Sequence, residues 1–170
     1  MKMKKLGLTY KDIVLYILTF LIVAIGDQIT KIMVDHTLQL GSGYTIIDDF
    51  FYFRYTHNAG AAWGIFEGKL NFFYIISFIA TIGIVYYFFE SQSYQKFLRF
   101  GLVLVFSGMI GNLIDRITLG YVRDFIDFII FGYDFPIFNV ADMAIVIGVG
   151  LIILEVAIEE YKAWKISKSL

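Results

Sequence analysis

Gly111-Asn112-Leu113-Ile114-Asp115-Arg116, then Asp124-Phe125, then Phe138-Asn139-Val140-Ala141-Asp142 straddle the end of one long apolar run and the start of the next. Asparagines, acids and arginine stand here where a membrane-spanning chain should be shedding polar groups. Such groups are costly near a bilayer and mark function by default. The rest of the chain is read outward from them.

The composition agrees with a membrane setting. Of the 170 residues, 59% are hydrophobic and 19% aromatic, with a mean hydropathy of +0.73. A soluble domain averages about 45–50% apolar residues. At about 20 residues per span, the length accommodates four spans and modest loops. The spacing of apolar runs predicts spans over about 12–34, 70–89, 97–115 and 137–158, in one integral membrane domain covering 1–170. The span over 70–89 is the clearest, with no charged residue in it. A net charge of −1 suggests no nucleic-acid partner. The absence of cysteine excludes disulfides, thiolate metal sites and a cysteine nucleophile. The two histidines, His36 and His57, have no acid spacing that makes a metal site. No metal or cofactor is expected, and a monomer suffices.

The N-terminal lysines, the apolar run from Ile13 and Ala24-Ile25-Gly26 imitate a cleavable secretory signal. The helical pattern continues past Gly26, which favours a retained span. Asp27 lies in the outer part of that span, four residues before Lys31, so the two share a helix face. Two readings stay open: a structural ion pair with Lys31 snorkelling outward, or an acid facing the polar site.

Between the first two spans, over about 38–68, a small extracytoplasmic β region is expected. Ile46 to Thr56 reads as strand, with Phe51, Phe53 and Tyr55 on one face and Phe50, Tyr52 and Arg54 on the other. The small residues of Asn58-Ala59-Gly60-Ala61-Ala62-Trp63-Gly64 allow close backbone approach. That stretch is a tight turn, or a strand edge holding an extended peptide through its main chain. The fold class is therefore a membrane all-α bundle of four transmembrane helices with a small β-strand region between helices 1 and 2. Thr118 to Phe135 reads as a second outer loop broken by Gly120 and Gly132. Gly101, Gly108 and Gly111 lie along the third span, and Gly108 and Gly111, together with Ser107, suggest close helix packing. The charged tail from Glu159 is expected to fray.

Basic residues orient the chain. Lys2, Lys4, Lys5, Lys11, Lys96, Arg99, Lys162, Lys165 and Lys168 fall on one side, and Lys31, Arg54, Lys69, Arg116 and Arg123 on the other. By the positive-inside rule both termini are cytoplasmic and the acid cluster is at the outer face.

Peptide hydrolysis without cysteine, metal or a serine–histidine pair can run on two carboxylates. One is ionised and takes a proton from water; the other is protonated and polarises the scissile carbonyl. Two neighbouring carboxyls cannot both ionise easily, so they share a proton and titrate as a pair. Asp27, Asp115, Asp124, Asp127 and Asp142 compete for these roles. Asp142 stands out as the acid deep in span 4, roughly 7 Å below the start of its helix. Asp115 has Arg116 beside it, which favours a permanently ionised structural role. Spacing leaves Asp124 and Asp127 equal. A proton-coupled transporter would instead distribute acids through the membrane depth or carry an inverted repeat. Here Glu155 is the acid nearest the inner end of a span, and the 70–89 span has none. A membrane scaffold with stabilising ion pairs is the third class.

Five stretches in order carry a resemblance: Asp27; Asn58 to Trp63; Gly111 to Arg116; Gly120-Tyr121-Val122-Arg123-Asp124-Phe125; and Phe138 to Asp142. With four spans, the chain resembles the lipoprotein signal peptidases, the aspartic signal peptidase II family. The resemblance runs over about two-thirds of the chain. It implies that Asp124 and Asp142 are the catalytic dyad and leaves Asp127 outside. It implies that Asn58, Gly60, Asn112, Arg116 and Asn139 line or support the site, with Asp27 and Asp115 as further polar positions. The implied substrates are diacylglyceryl-modified prolipoprotein signal peptides, cleaved before the lipidated cysteine at the outer face of the bacterial cytoplasmic membrane, with membrane lipid as the surrounding partner. The aromatic strand and its glycine-rich turn, Trp63 included, are expected to rest on the membrane and cradle the peptide.

Overall fold

The computed structural model describes residues 7–60 and 65–169. Among the described residues four helices carry the chain: α1 (Tyr10–Thr37), α2 (Leu70–Glu90), α3 (Lys96–Leu119) and α4 (Val140–Ser167). Each is long and apolar enough to cross a membrane. Four strands accompany them: β1 (Gly43–Ile47), β2 (Phe51–Asn58), β3 (Val122–Ile130) and β4 (Tyr133–Asp134).

The helix ends follow from local chemistry. Thr9 caps α1 in a capping box with Asp12. Asn139 does the same for α4 with Asp142: each side chain accepts from the other residue's backbone N–H. Gly120 ends α3 at φ +84°, in the left-handed region that glycine reaches without penalty. Glu155 Oε2 accepts from Phe97 N at 3.0 Å and Leu98 N at 3.3 Å, satisfying the first turn of α3 from α4. This gives the inner acid of α4 a capping role.

Helix α3 packs closely along α4. A Cβ on Gly101 would meet the Gly148 carbonyl at 2.6 Å, and one on Gly148 would meet the Gly101 carbonyl at 2.6 Å. A Cβ on Gly108 would collide with the Ala141 carbonyl. At this spacing only hydrogen fits. Helix α1 packs on α3 and α4, and α2 packs on α3. None of the residues of α2, all of them described, is buried. A helix apolar all round with no buried stripe is one whose surface faces lipid.

The helices run longer than the apolar runs. α1 reaches Thr37, and α4 continues unbroken through the charged tail to Ser167. α4 also starts later than Ile137, because Phe138 is paired as strand and Asn139 is the cap. Asp142 is therefore the third residue of its helix, in the first turn, and not roughly 7 Å down.

The sheet is antiparallel with order β1-β2-β3-β4. The single strand expected over 46–56 is two strands and a tight turn at Asp48-Asp49-Phe50, with Asp49 at φ +55°. Aspartate tolerates that conformation better than most residues. A register shift between Phe53 and Thr56 also breaks the strict alternation expected through Tyr55. Tyr55 is buried and its hydroxyl donates to Asp35 Oδ1 at 2.6 Å. The expected outer loop after α3 contributes β3 and β4, so half of the sheet comes from between helices 3 and 4. Phe138 then lies against β3: Phe138 N donates to Ile126 O, and Phe138 O accepts from Phe125 N and Ile126 N. This pairing carries the start of α4 alongside Asp124. Trp63 and its neighbours 61–64 lie outside the described residues.

Candidate active site

Three elements converge where the sheet meets the bundle. β3 brings Asp124, the first turn of α4 brings Asp142, and α3 brings Asn112 and Arg116. These side chains, with Asn58 at the end of β2 and Gly60 just after it, line one cavity of about 720 Å³. Its remaining wall is apolar, from Met109 and Val122 to Phe135, Pro136 and Ile137, and continues down α4 through Met143, Val146 and Ile147. Ser77 of α2 stands on the other side. The cavity thus joins a small polar end to an apolar cleft within the helices.

Asparagine amides hold both carboxylates. Asp124 Oδ2 accepts from Asn58 Nδ2 at 2.9 Å, and Oδ1 from Asn139 Nδ2 at 2.6 Å. Asp142 Oδ1 accepts from Asn112 Nδ2 at 2.8 Å, and Oδ2 from Asn139 N at 3.1 Å. One residue, Asn139, therefore touches both acids, through its side chain on one and its backbone on the other. Asn58 is itself oriented by Gly60 N, which donates to Asn58 Oδ1 at 2.9 Å. Arg116 Nη2 donates to Gly60 O at 2.9 Å, and its guanidinium sits 4.3 Å from the Phe73 ring centroid.

Burial pushes the Asp124 carboxyl up to about 7, and the neighbouring Asp142 carboxylate adds to this. The amide bonds from Asn58 and Asn139, and Lys31 beyond, pull the other way without winning. Two acids facing one cavity, one of them half-protonated near neutrality, can divide acid and base work.

A second layer of charge lies behind Asn112. Asp27 and Lys31, both fully buried, pair at 2.8 Å. Asp27 Oδ1 also accepts from Ala141 N at 2.9 Å, so α1 braces the first turn of α4. Asp115 pairs with Arg123 at 2.7 Å and lies 3.7 Å from Lys31. Gln28 Nε2 bridges Asp27 Oδ2, the Gly111 carbonyl and Asp115 Oδ1.

Asp124, Asp142, Asn58, Gly60, Asn112 and Arg116 thus share the cavity. Asn139 lies directly behind the two acids, and Asp27 and Asp115 lie deeper. Asp27 belongs to a buried ion pair and does not line the cavity; its Oδ1 reaches the Ala141 backbone N–H behind it. Lys31 does not snorkel; it points inward. Asp115 takes Arg123 as its partner and not the adjacent Arg116, whose side chain leaves on another face. Asp127 does not line the cavity. It is buried beside Arg54, 3.2 Å away. Sequence reasoning gave Gln28 and the apolar wall no part. Gln28 has a signal, one residue from Asp27, but an apolar wall has none in a chain this apolar. Among the described residues no His, Cys, Asp and Glu group could hold a metal ion.

The likeness to known proteins is consistent across three comparisons. Residues 19–158 match the family described as Signal peptidase (SPase) II. Lipoprotein signal peptidases of Staphylococcus aureus, strains JH9 and Newman among them, are 47% identical over 138 residues, covering 81% of this chain and 85% of theirs. A solved structure described as a bacterial membrane enzyme at 2.3 Å resolution superposes with a TM-score of 0.81 at 44% identity, covering 85% of this chain and 88% of that one. A second, at 1.9 Å, gives a TM-score of 0.76 at 45% identity over 83% and 91%. With most of its length matched in sequence and in fold, and its paired acids inside the matched segment, this chain belongs to the signal peptidase II family.

Proposed function

We propose that the protein removes signal peptides from prolipoproteins by aspartic catalysis, with Asp124 and Asp142 as the working pair. The single observation that carries this reading is the pair itself: two carboxylates on one cavity, tied to the same asparagine, with Asp124 raised to about 7. The working form of the pair holds one proton, and with Asp124 raised to about 7 that form is still present near neutrality. The ionised member takes a proton from water as the oxygen attacks the scissile carbonyl. The protonated member donates to the carbonyl oxygen. Collapse of the tetrahedral adduct breaks the C–N bond, and the amine leaves with a proton from the pair. The products are a signal peptide ending in a carboxylate and a chain beginning at the lipidated cysteine.

The remaining parts fit such a substrate. The apolar cleft along Met143, Val146 and Ile147 suits a signal helix or acyl chains. Arg116 and the Gly60 carbonyl stand where an extended peptide would pass. Cleavage before a diacylglyceryl-cysteine is compatible with a cavity that is polar at one end and lipid-like at the other. An outer-face site with cytoplasmic termini is supported by the excess of basic residues on the side of the termini. Of the five basic residues toward the sheet, Lys31 and Arg123 are buried and Arg116 is in the cavity, which leaves Arg54 and Lys69 as the accessible ones there.

The test is cleavage of a diacylglyceryl-modified prolipoprotein by purified protein. Asp124→Asn and Asp142→Asn are each expected to lower kcat by on the order of 10²–10⁴, and a chelator to leave the rate unchanged. Normal turnover by either variant, or loss of activity to the chelator, defeats the reading.

A further inference from the structure

Lys31 has no exposure, yet burying an ammonium costs several kcal/mol even when it is paired. A purely structural role would be met by its partner Asp27 alone, or as well by two apolar side chains. Its third contact points elsewhere. Nζ donates to Asn112 Oδ1 at 2.9 Å. An ammonium has donors and no acceptor, so the atom facing it must be the amide oxygen. The Asn112 Nδ2 is then turned toward Asp142 Oδ1, 2.8 Å away. Reversed, the same amide would set its N–H groups against an ammonium and its oxygen against a carboxylate.

We infer that Lys31 is a positioning residue for the cleavage reaction: its ammonium fixes which way round the Asn112 amide sits, and through that amide it seats the Asp142 carboxylate. The inference rests on Asp124 and Asp142 being the working pair. Asn139 Nδ2 also donates toward Asn112 Oδ1, at 3.1 Å, but its two N–H groups are divided among that oxygen, Asp124 Oδ1 at 2.6 Å and the Arg123 carbonyl at 3.4 Å. Its own orientation is held separately, by the Asp142 backbone N–H on Asn139 Oδ1. The charged groups facing Lys31 are Asp27 from α1 and Asp115 from α3, with Arg123 of β3 beyond Asp115. Lys31 thus closes a chain running from α1 through α3 to α4, and nothing else in it is a cation bonded to Asn112.

Removing Lys31 alone would leave Asp27 buried and unpaired, so both partners are changed together. Asp27→Asn/Lys31→Met and Asp27→Asn/Lys31→Gln are each read against Asp27→Asn, by thermal unfolding and by kcat, KM and pH profile on a diacylglyceryl prolipoprotein. The methionine variant is expected to lose on the order of 10-fold in kcat, the scale of a small misplacement at a reacting group, with KM unchanged. The acidic limb of its kcat/KM profile moves to higher pH, because the ionised pair has lost a cation and a firm donor. The glutamine variant offers an N–H to Asn112 without a charge and recovers part of kcat. Equal kcat and an unmoved pH limb in all three variants overturn the inference. So does an equal loss with methionine and glutamine, and so does loss of the fold, which would make Lys31 structural. Failure of the pair itself is read separately, as normal turnover by Asp124→Asn or Asp142→Asn.

Discussion

At the scale of residues, the charges behind the cavity make a neutral set: Asp27 with Lys31, and Asp115 with Arg123. Breaking one member leaves a buried charge without its partner. Arg123→Met is expected to lower stability by about 3–5 kcal/mol, while Asp115→Asn/Arg123→Met recovers much of it; unfolding midpoints in detergent decide. The front of the site responds to pH instead. A pair that works with one proton loses it as pH rises through about 7, the value to which Asp124 is raised. The cleavage rate should therefore fall on the alkaline side near neutrality, and on the acidic side once both acids are protonated. A profile flat to pH 9 would contradict this. The polar residues themselves were legible as a list, because acids and asparagines are out of place beside apolar runs. Their partners were not. Adjacency suggested Arg116 for Asp115, but neighbours on a helix point about 100° apart, and the cation that reaches Asp115 comes from β3.

At the scale of elements, α3 and α4 touch through glycines, and the contact can be tested one hydrogen at a time. Gly148→Ala puts a methyl 2.6 Å from the Gly101 carbonyl, whereas Gly150→Ala, two residues on, meets nothing within 4 Å. The first should lower the unfolding midpoint and activity together; the second should leave activity intact and gain about 0.5–1 kcal/mol from helix propensity. Equal effects would mean that the two helices do not approach as described. The four helices were readable from hydropathy, and the close packing from Gly108 and Gly111, though not the mutual contact of Gly101 and Gly148. The second half of the sheet was not. In Val122–Ile130 both faces of the strand are largely buried and Arg123, Asp124 and Asp127 interrupt the apolar pattern, so neither alternation nor a plain apolar run is visible. The same misreading placed Asp142 too deep, since pairing of Phe138 with Ile126 delays the start of α4.

At the scale of the whole molecule, two loops far apart in sequence make one sheet, and the sheet seats both acids. Asn58 comes from the loop region after α1, Asp124 from that after α3, and they meet because β2 and β3 pair, Asn58 opposite Val122 and Thr56 opposite Asp124. The bundle supplies the other half, with α1 bracing α4 through Asp27 and Ala141. This assembly by pairing explains why spacing could not separate Asp124 from Asp127.

Helix α2 stands apart from this assembly, with no buried residue. Its obligations are few: Tyr74 donates to the Arg116 carbonyl at 2.9 Å, Phe73 lies under the Arg116 guanidinium, Ser77 borders the cavity, and Phe88 meets the buried Tyr16 ring edge-on at 5.5 Å. Elsewhere along it, selection can act on hydrophobicity and length but has little to grip in side-chain identity. Over evolutionary time α2 should therefore drift freely among apolar residues, and a library of apolar residues there should keep nearly all its activity outside those four positions.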